Sequence, residues 1–166
     1  MLNNIKKYIK ENYITNISDF PKPGITFRDI SPLLKSIYFP VVVNELITKV
    51  KSPDYWVGID SRGFIFASAL SINTGKGLIM CRKKGKLPPP IVSETYSLEY
   101  GEDTLEIQPG IGKVVIVDDV YATGGTMDAA EKLCIKAGYT VIDKLTLIDL
   151  TYLHGKTNVK SLIQYE

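Results

Sequence analysis

The chain has 166 residues, 45% of them hydrophobic and 23% charged, with a net charge of +2. That profile suits one ordinary globular domain and excludes disordered, collagenous and coiled-coil classes. The positive charge is too small for a nucleic-acid-binding domain, which carries a clustered basic excess, and the two cysteines, Cys81 and Cys134, cannot build a disulfide framework.

The elements follow in chain order. Leu2, Ile5, Tyr8 and Ile9 repeat at helical spacing, which predicts an amphipathic helix at the start. That stretch lacks the apolar run of a signal peptide. Prolines and a glycine in NISDFPKPGITFRDISP forbid a long helix there. Residues 40–50 read as a helix with proline in its first turn. Residues 55–59 read as a buried strand ending at Asp60, and 63–74 as a helix closed by Gly75. The longest apolar stretch, 63–72, is far shorter than the ~20 residues of a membrane span. Residues 78–81 read as a short strand, 82–95 as a basic, proline-rich loop, and 96–107 as a hairpin with Gly101 near its middle. Residues 114–117 are a continuous β-branched run, the pattern of a strand covered on both faces. Residues 125–137 place Met127, Ala130, Leu133, Cys134 and Ala137 on one side of a helix, with Gly138 after it, and 139–149 return as a strand. Strand, helix, strand in that order is a βαβ unit with a parallel sheet, so the fold class is α/β. The expectation is one soluble, cytoplasmic domain with no membrane or nucleic-acid partner.

The segment VVIVDDVYATGGT, residues 114–126, carries the chemistry. A buried strand ends in two adjacent carboxylates, Asp118 and Asp119. Thr-Gly-Gly-Thr then opens a helix. Glycines let backbone N–H groups approach an anion, and the helix N-terminus adds roughly half a positive charge. Ala122, Thr123, Gly124, Gly125 and Thr126 therefore read as a phosphate cradle. The segment is neither GxxxxGK[ST] nor GxGxxG. Two carboxylates would repel a phosphate, so they imply a ligand that offers hydroxyl donors a few ångströms away, as a ribose 5-phosphate does.

Residues 114–126 resemble the 5-phosphoribosyl 1-pyrophosphate (PRPP) motif of type I phosphoribosyltransferases. FPKPGITFRDISPLL (20–34), GIDSRGFIFASALS (58–71), RKKGKLPPPIVSETYSLEYGEDTLEI (82–107) and the closing LIQYE resemble the adenine phosphoribosyltransferases within that family. The resemblance spans essentially the whole chain. It implies a mostly parallel central sheet flanked by helices, a small N-terminal hood at about 1–34 and a flexible loop at about 82–107. It implies transfer of the phosphoribosyl group from PRPP to adenine, giving AMP and pyrophosphate. Rival readings are a transferase for another base, against which GITFRDIS argues, and a PRPP-binding regulator without catalysis.

The resemblance also implies roles. Asp118 and Asp119 hold the ribose hydroxyls. Asp60, Ser61 and Arg62 open a pyrophosphate site, where family members often hold a cis peptide at the equivalent of Asp60–Ser61. Arg82, Lys83 and Lys86 reach pyrophosphate, in one reading that of a partner subunit. Glu99, on the loop that closes over the reacting atoms, matches the acid/base candidate acting on a ring nitrogen of adenine. Backbone groups of Thr26 and Arg28 read the base edge, and Phe27 and Val120 sandwich its faces. Mg²⁺ enters bound mainly through PRPP and pyrophosphate, with no protein cage, and the assembly is a homodimer. One departure stands out: the family pattern reads Leu-Pro-Gly-Pro where this chain has Leu87-Pro88-Pro89-Pro90, and Pro89 locks φ where glycine is free. His154 stands far from any motif and is expected at the surface or as a cap. Cys81 and Cys134 are expected as buried spectators.

Overall fold

A computed structural model describes residues 2–98 and 101–166. The chain separates into two compact units, residues 1–45 and 46–166.

The first unit holds helix α1 (Leu2–Asn12), strands β1 (Thr15–Ile17) and β2 (Phe27–Asp29), the short helix α2 (Ser31–Leu34) and most of α3 (Tyr38–Ile47). Strands β1 and β2 pair antiparallel, with Ile17 opposite Phe27. Ile9, Ile14, Ile30, Leu33, Val42 and Val43 are buried. Tyr8, Tyr13 and Tyr38 cluster with ring centroids 5.0 to 5.9 Å apart. Pro40 sits in the first turn of α3, where its missing N–H costs nothing. The β1–β2 pair is absent from the sequence reading, because three-residue strands are too short to show periodicity.

The second unit is built on a seven-stranded sheet of order β5-β6-β4-β3-β7-β8-β9. Its strands are β3 (Tyr55–Ile59), β4 (Gly77–Lys83), β5 (Val92–Leu98), β6 (Gly101–Ile107), β7 (Gly112–Tyr121), β8 (Tyr139–Leu150) and β9 (Lys160–Tyr165). The run from β4 through β3, β7 and β8 to β9 is parallel, and β5 and β6 join antiparallel at the β4 edge. The central sheet is thus mostly parallel, as expected.

Alternation along the strands sets the two faces. Val57, Ile59, Val114 and Ile116 enter one core with Met127, Ala130, Leu133 and Cys134 of helix α5 (Gly125–Lys136). The opposite face takes helix α4 (Arg62–Thr74), which packs on β3 and β7. There the Trp56 indole N–H donates to Thr74 Oγ1 at 2.9 Å. A Cβ on Gly58 would come within 2.9 Å of Ala67 Cβ, so glycine lets α4 lie close on β3.

The segment read as a loop over 82–95 is shorter, at 84–91. Strand β4 runs on to Lys83 because Arg82 and Lys83 pair with Glu106 and Leu105, and β5 already begins at Val92 opposite Ile107. Strand β9 was not expected, since its six residues carry no distinctive pattern.

Candidate active site

The two segments expected to bind anions lie at the carboxyl ends of the neighbouring parallel strands β3 and β7, where ligands collect in open α/β sheets. Strand β7 ends at Tyr121 and α5 starts at Gly125. Gly124 is the N-cap with φ 97°, and no side chain caps the helix. A Cβ on Gly124 would lie 2.6 Å from the Tyr121 hydroxyl, whereas one on Gly125 would meet nothing within 4 Å. A pocket lined by Asp118 and residues 120–127 opens over this turn. Uncapped first-turn N–H groups beside open space are what an anion cradle requires.

Asp118 and Asp119 stand together at the rim. The Asp119 N–H donates to Asp118 Oδ1 at 2.9 Å. Burial, with the neighbouring charge of Asp119, pushes the Asp118 carboxyl well above the ordinary carboxylate range. Asp119 is 4% exposed, and its Oδ2 lies 2.8 Å from Arg62 Nε.

The second site begins at the end of β3. The Asp60–Ser61 peptide is cis, and Arg62 opens α4. A Cβ on Gly63 would sit 2.6 Å from the Val117 carbonyl oxygen and 3.2 Å from Asp118 Oδ1. Only glycine lets this helix start press against the end of β7, so the two sites are adjacent.

The basic run folds back on the same strand end. Arg82 Nε is 3.5 Å and Lys86 Nζ 3.7 Å from Asp60 Oδ2, and the Lys83 N–H donates to that oxygen at 3.3 Å. The Arg82 guanidinium also lies 5.8 Å over the Phe64 ring. Asp60 is therefore the residue that gathers Arg82 and Lys86. Lys83 turns elsewhere: its ammonium pairs with Asp103 on β6. The Tyr96 hydroxyl lies 3.4 Å from both Asp103 Oδ2 and Thr126 Oγ1, which joins the β5–β6 pair to the cradle.

The second unit thus brings together Asp60, Ser61, Arg62, Arg82, Lys86, Asp118, Asp119, Val120 and residues 122–126. Lys83 is directed to Asp103. Thr26, Phe27 and Arg28 belong to the first unit, where Phe27 meets Phe20 edge to face at 5.2 Å and Arg28 donates to Asn16 Oδ1 at 2.6 Å. Glu99 lies outside the described residues. Both cysteines are buried and free. Burial raises both thiols, that of Cys134 to about 12, so neither is a ready nucleophile.

Sequence reasoning missed Tyr96, Asp103 and the Asp149–His154 pair. His154, expected at the surface or as a cap, is the C-cap of a 3-10 turn at Thr151–Leu153, with a side chain only 10% exposed. A carboxylate near the end of an apolar strand, with an imidazole five residues on, was the available signal for that pair.

Residues 43–157 match the phosphoribosyl transferase domain family. The chain is similar to adenine phosphoribosyltransferase of Bdellovibrio bacteriovorus, with 47% identity over 93% of this chain and 98% of that one. Among solved structures it is similar to adenine phosphoribosyltransferase from Rhodothermus marinus, at 36% identity and a TM-score of 0.87, covering 98% of this chain and all of that one. It is also similar to the Saccharomyces cerevisiae enzyme complexed with an imino-altritol bisphosphate and adenine, at 31% identity and a TM-score of 0.80, over 96% and 97% of the two chains.

Proposed function

The chain belongs to the adenine phosphoribosyltransferase family, and on that premise we propose that it transfers the 5-phosphoribosyl group of PRPP to adenine, giving AMP and pyrophosphate in purine salvage. The observation that carries this reading is the uncapped α5 turn over open space, with the Asp118–Asp119 pair at its rim.

In this reading the first-turn N–H groups and the Thr123 and Thr126 hydroxyls bind the 5′-phosphate. Asp118 and Asp119 accept from the ribose 2′ and 3′ hydroxyls. As the bond from C1′ to pyrophosphate stretches, positive charge grows on the sugar ring, and a preorganised carboxylate pair stabilises it without reorganising. Arg62, Arg82, Lys86 and the backbone at Asp60 and Ser61 receive the leaving pyrophosphate, with Lys83 as a further cation. Phe27 and Val120 stack on adenine, while backbone groups of Thr26 and Arg28 read its edge. Glu99 handles the proton on the base. Closure of residues 82–101 excludes water and so suppresses hydrolysis of PRPP. Both units act as one phosphoribosyltransferase domain, with residues 1–34 as the hood.

The donor chemistry suits Mg²⁺. Two hard carboxylates beside phosphate sites are the partners that Mg²⁺ takes while keeping most of its waters. It would arrive on PRPP, near Asp118 and Asp119, and would neutralise charge on the leaving group.

A homodimer is supported by an apolar face on the second unit. Ile65 and Ile72 are 38% and 84% exposed on α4, seven residues apart on one side, and Leu78 and Met80 are 40% and 44% exposed on β4. Cytoplasmic location is supported by two unpaired cysteines.

The test is pyrophosphate release from PRPP and Mg²⁺ with a panel of bases. Adenine should turn over and hypoxanthine, guanine and orotate should not, since a site that pairs a polar group rejects the wrong base by up to ~10⁴–10⁵. Comparable kcat/KM for hypoxanthine rejects the base assignment. A Glu99→Leu chain that keeps wild-type single-turnover rates removes Glu99 from the chemistry, where the loss expected of an acid/base residue is ~10²–10⁴.

A further inference from the structure

The only histidine of the chain is built into the back of the phosphate cradle. His154 Nε2 lies 2.7 Å from Asp149 Oδ1, and Nδ1 lies 2.6 Å from the Gly155 carbonyl oxygen. Both ring nitrogens face oxygen acceptors, so the doubly protonated imidazolium satisfies both. Asp149, the second-last residue of β8, is 2% exposed and lies directly across the ladder from Tyr121. The His154 ring meets the Tyr121 ring edge to face, with centroids 4.7 Å apart and planes at 76°. The charged or titratable groups set against His154 among the described residues are thus Asp149 of β8 and Tyr121 of β7.

Tyr121 in turn faces the cradle. It is 8% exposed and is the last residue of β7. Its hydroxyl occupies the room that a Cβ on Gly124 would need. Gly124 is the left-handed residue from which α5 departs. A displaced Tyr121 ring therefore removes the surface on which this turn rests.

We propose that His154 and Asp149 are positioning residues for the 5′-phosphate site: by clamping the Tyr121 ring they hold the Gly124 turn and the first N–H groups of α5 at phosphate-binding spacing. This rests on the reading of residues 122–126 as the 5′-phosphate cradle. Neither side chain touches substrate. Their effect is geometric, and misplacement of a binding group by about 1 Å can cost on the order of 10²-fold.

The experiment uses the full chain. Ribose 5-phosphate is titrated by calorimetry, and KM for PRPP, KM for adenine and kcat are measured, in wild type, His154→Ala, His154→Gln and Tyr121→Leu. His154→Ala should weaken ribose 5-phosphate and raise KM for PRPP by about tenfold, leaving KM for adenine and kcat within about twofold. His154→Gln keeps a donor for Asp149 and should recover part of the loss. His154→Ala added to Tyr121→Leu should cost little more than Tyr121→Leu alone, because both act through one ring. If His154→Ala does not fold, His154→Gln decides by the same KM split. Unchanged ribose 5-phosphate affinity with only a lowered Tm overturns the proposal and leaves the cradle standing. Wild type that fails to bind ribose 5-phosphate overturns both.

Discussion

Arg62 Nε lies 2.8 Å from Asp119 Oδ2, so the first residue of α4 is paired with the second carboxylate at the end of β7. The pair joins the start of α4 to the end of β7. Arg62 is 39% exposed while Asp119 is 5% exposed at its side chain, so the arginine can turn toward an incoming anion and the carboxylate cannot follow. Asp119 holds the guanidinium at the carboxyl ends of β3 and β7, beside the pyrophosphate position proposed above. Gly63 makes the geometry possible, since any side chain there would collide with the Val117 carbonyl and push the start of α4 off the end of β7.

The two cradle glycines should respond in opposite ways. A side chain on Gly125 projects into open space, so Gly125→Val should fold with Tm close to wild type and lose AMP and PRPP binding. Gly124 has φ 97°, and its Cβ would strike Tyr121. Gly124→Ala should therefore lower Tm by an amount corresponding to about 1–3 kcal/mol of strain. Thermal melts and AMP calorimetry on both variants check this. A Gly125→Val chain with intact AMP affinity would move the phosphate elsewhere.

The cradle was legible because its features are local. The buried run 114–117, the paired carboxylates and the two glycines lie within thirteen consecutive residues, and the strand–helix turn is set by that order. The partners of Lys83 and Thr126 were not legible. They depend on β6 pairing with β4, which brings Asp103 to Lys83 and Tyr96 to Thr126 across gaps of 20 and 30 residues. No periodicity carries that information. The role of Asp60 was hidden for the same reason, because Arg82 and Lys86 reach it only after β4 has lain beside β3.

Asp60 gathers cations and should affect the pyrophosphate side alone. Asp60→Asn keeps an acceptor for the Lys83 N–H but releases Arg82 and Lys86 from their 3.5 and 3.7 Å pairings. In the reverse reaction, KM for pyrophosphate should rise by about tenfold, with KM for AMP changed far less, since the cost falls on groups orienting one ligand. Steady-state pyrophosphorolysis measures both. Equal rises in the two constants would show a general distortion instead.

The apolar face of α4 and β4 gives a test of assembly. Ile72 is 84% exposed, so Ile72→Glu should cost the isolated fold little, as surface substitutions usually stay within about 0.5 kcal/mol. Placed in an apolar interface it buries an unpaired charge. Sedimentation velocity should find a dimer for wild type and a shift to monomer for the variant. A wild type that is monomeric throughout the micromolar range would end the homodimer proposal.

The Asp118 carboxyl should set activity against stability. Burial, then the charge of Asp119, raise its folded-state pKa well above the ordinary value near 3.9. The folded chain therefore holds a proton that the unfolded chain has already released over that range of pH. Stability is then highest below the unfolded value and falls as pH rises toward the folded one. Asp118→Asn removes the charge and its cost. Its Tm should match wild type near pH 4 and exceed it at pH 8, where the unfolded wild-type chain ionises Asp118 freely and the folded chain does so only against the cost of burial. In the same variant the growing positive charge on the ribose loses a preorganised partner, so kcat should fall on the order of 10²–10³ with a smaller change in KM for PRPP. A half-buried carboxylate that costs stability and supplies rate is the trade-off expected of a site selected for chemistry. Melting curves at the two pH values, with single-turnover rates at the higher one, test both halves. A Tm difference that does not grow between pH 4 and pH 8 would mean that Asp118 ionises freely in the folded chain. An effect on KM alone would make the pair a binding feature, with the cradle beside it unaffected.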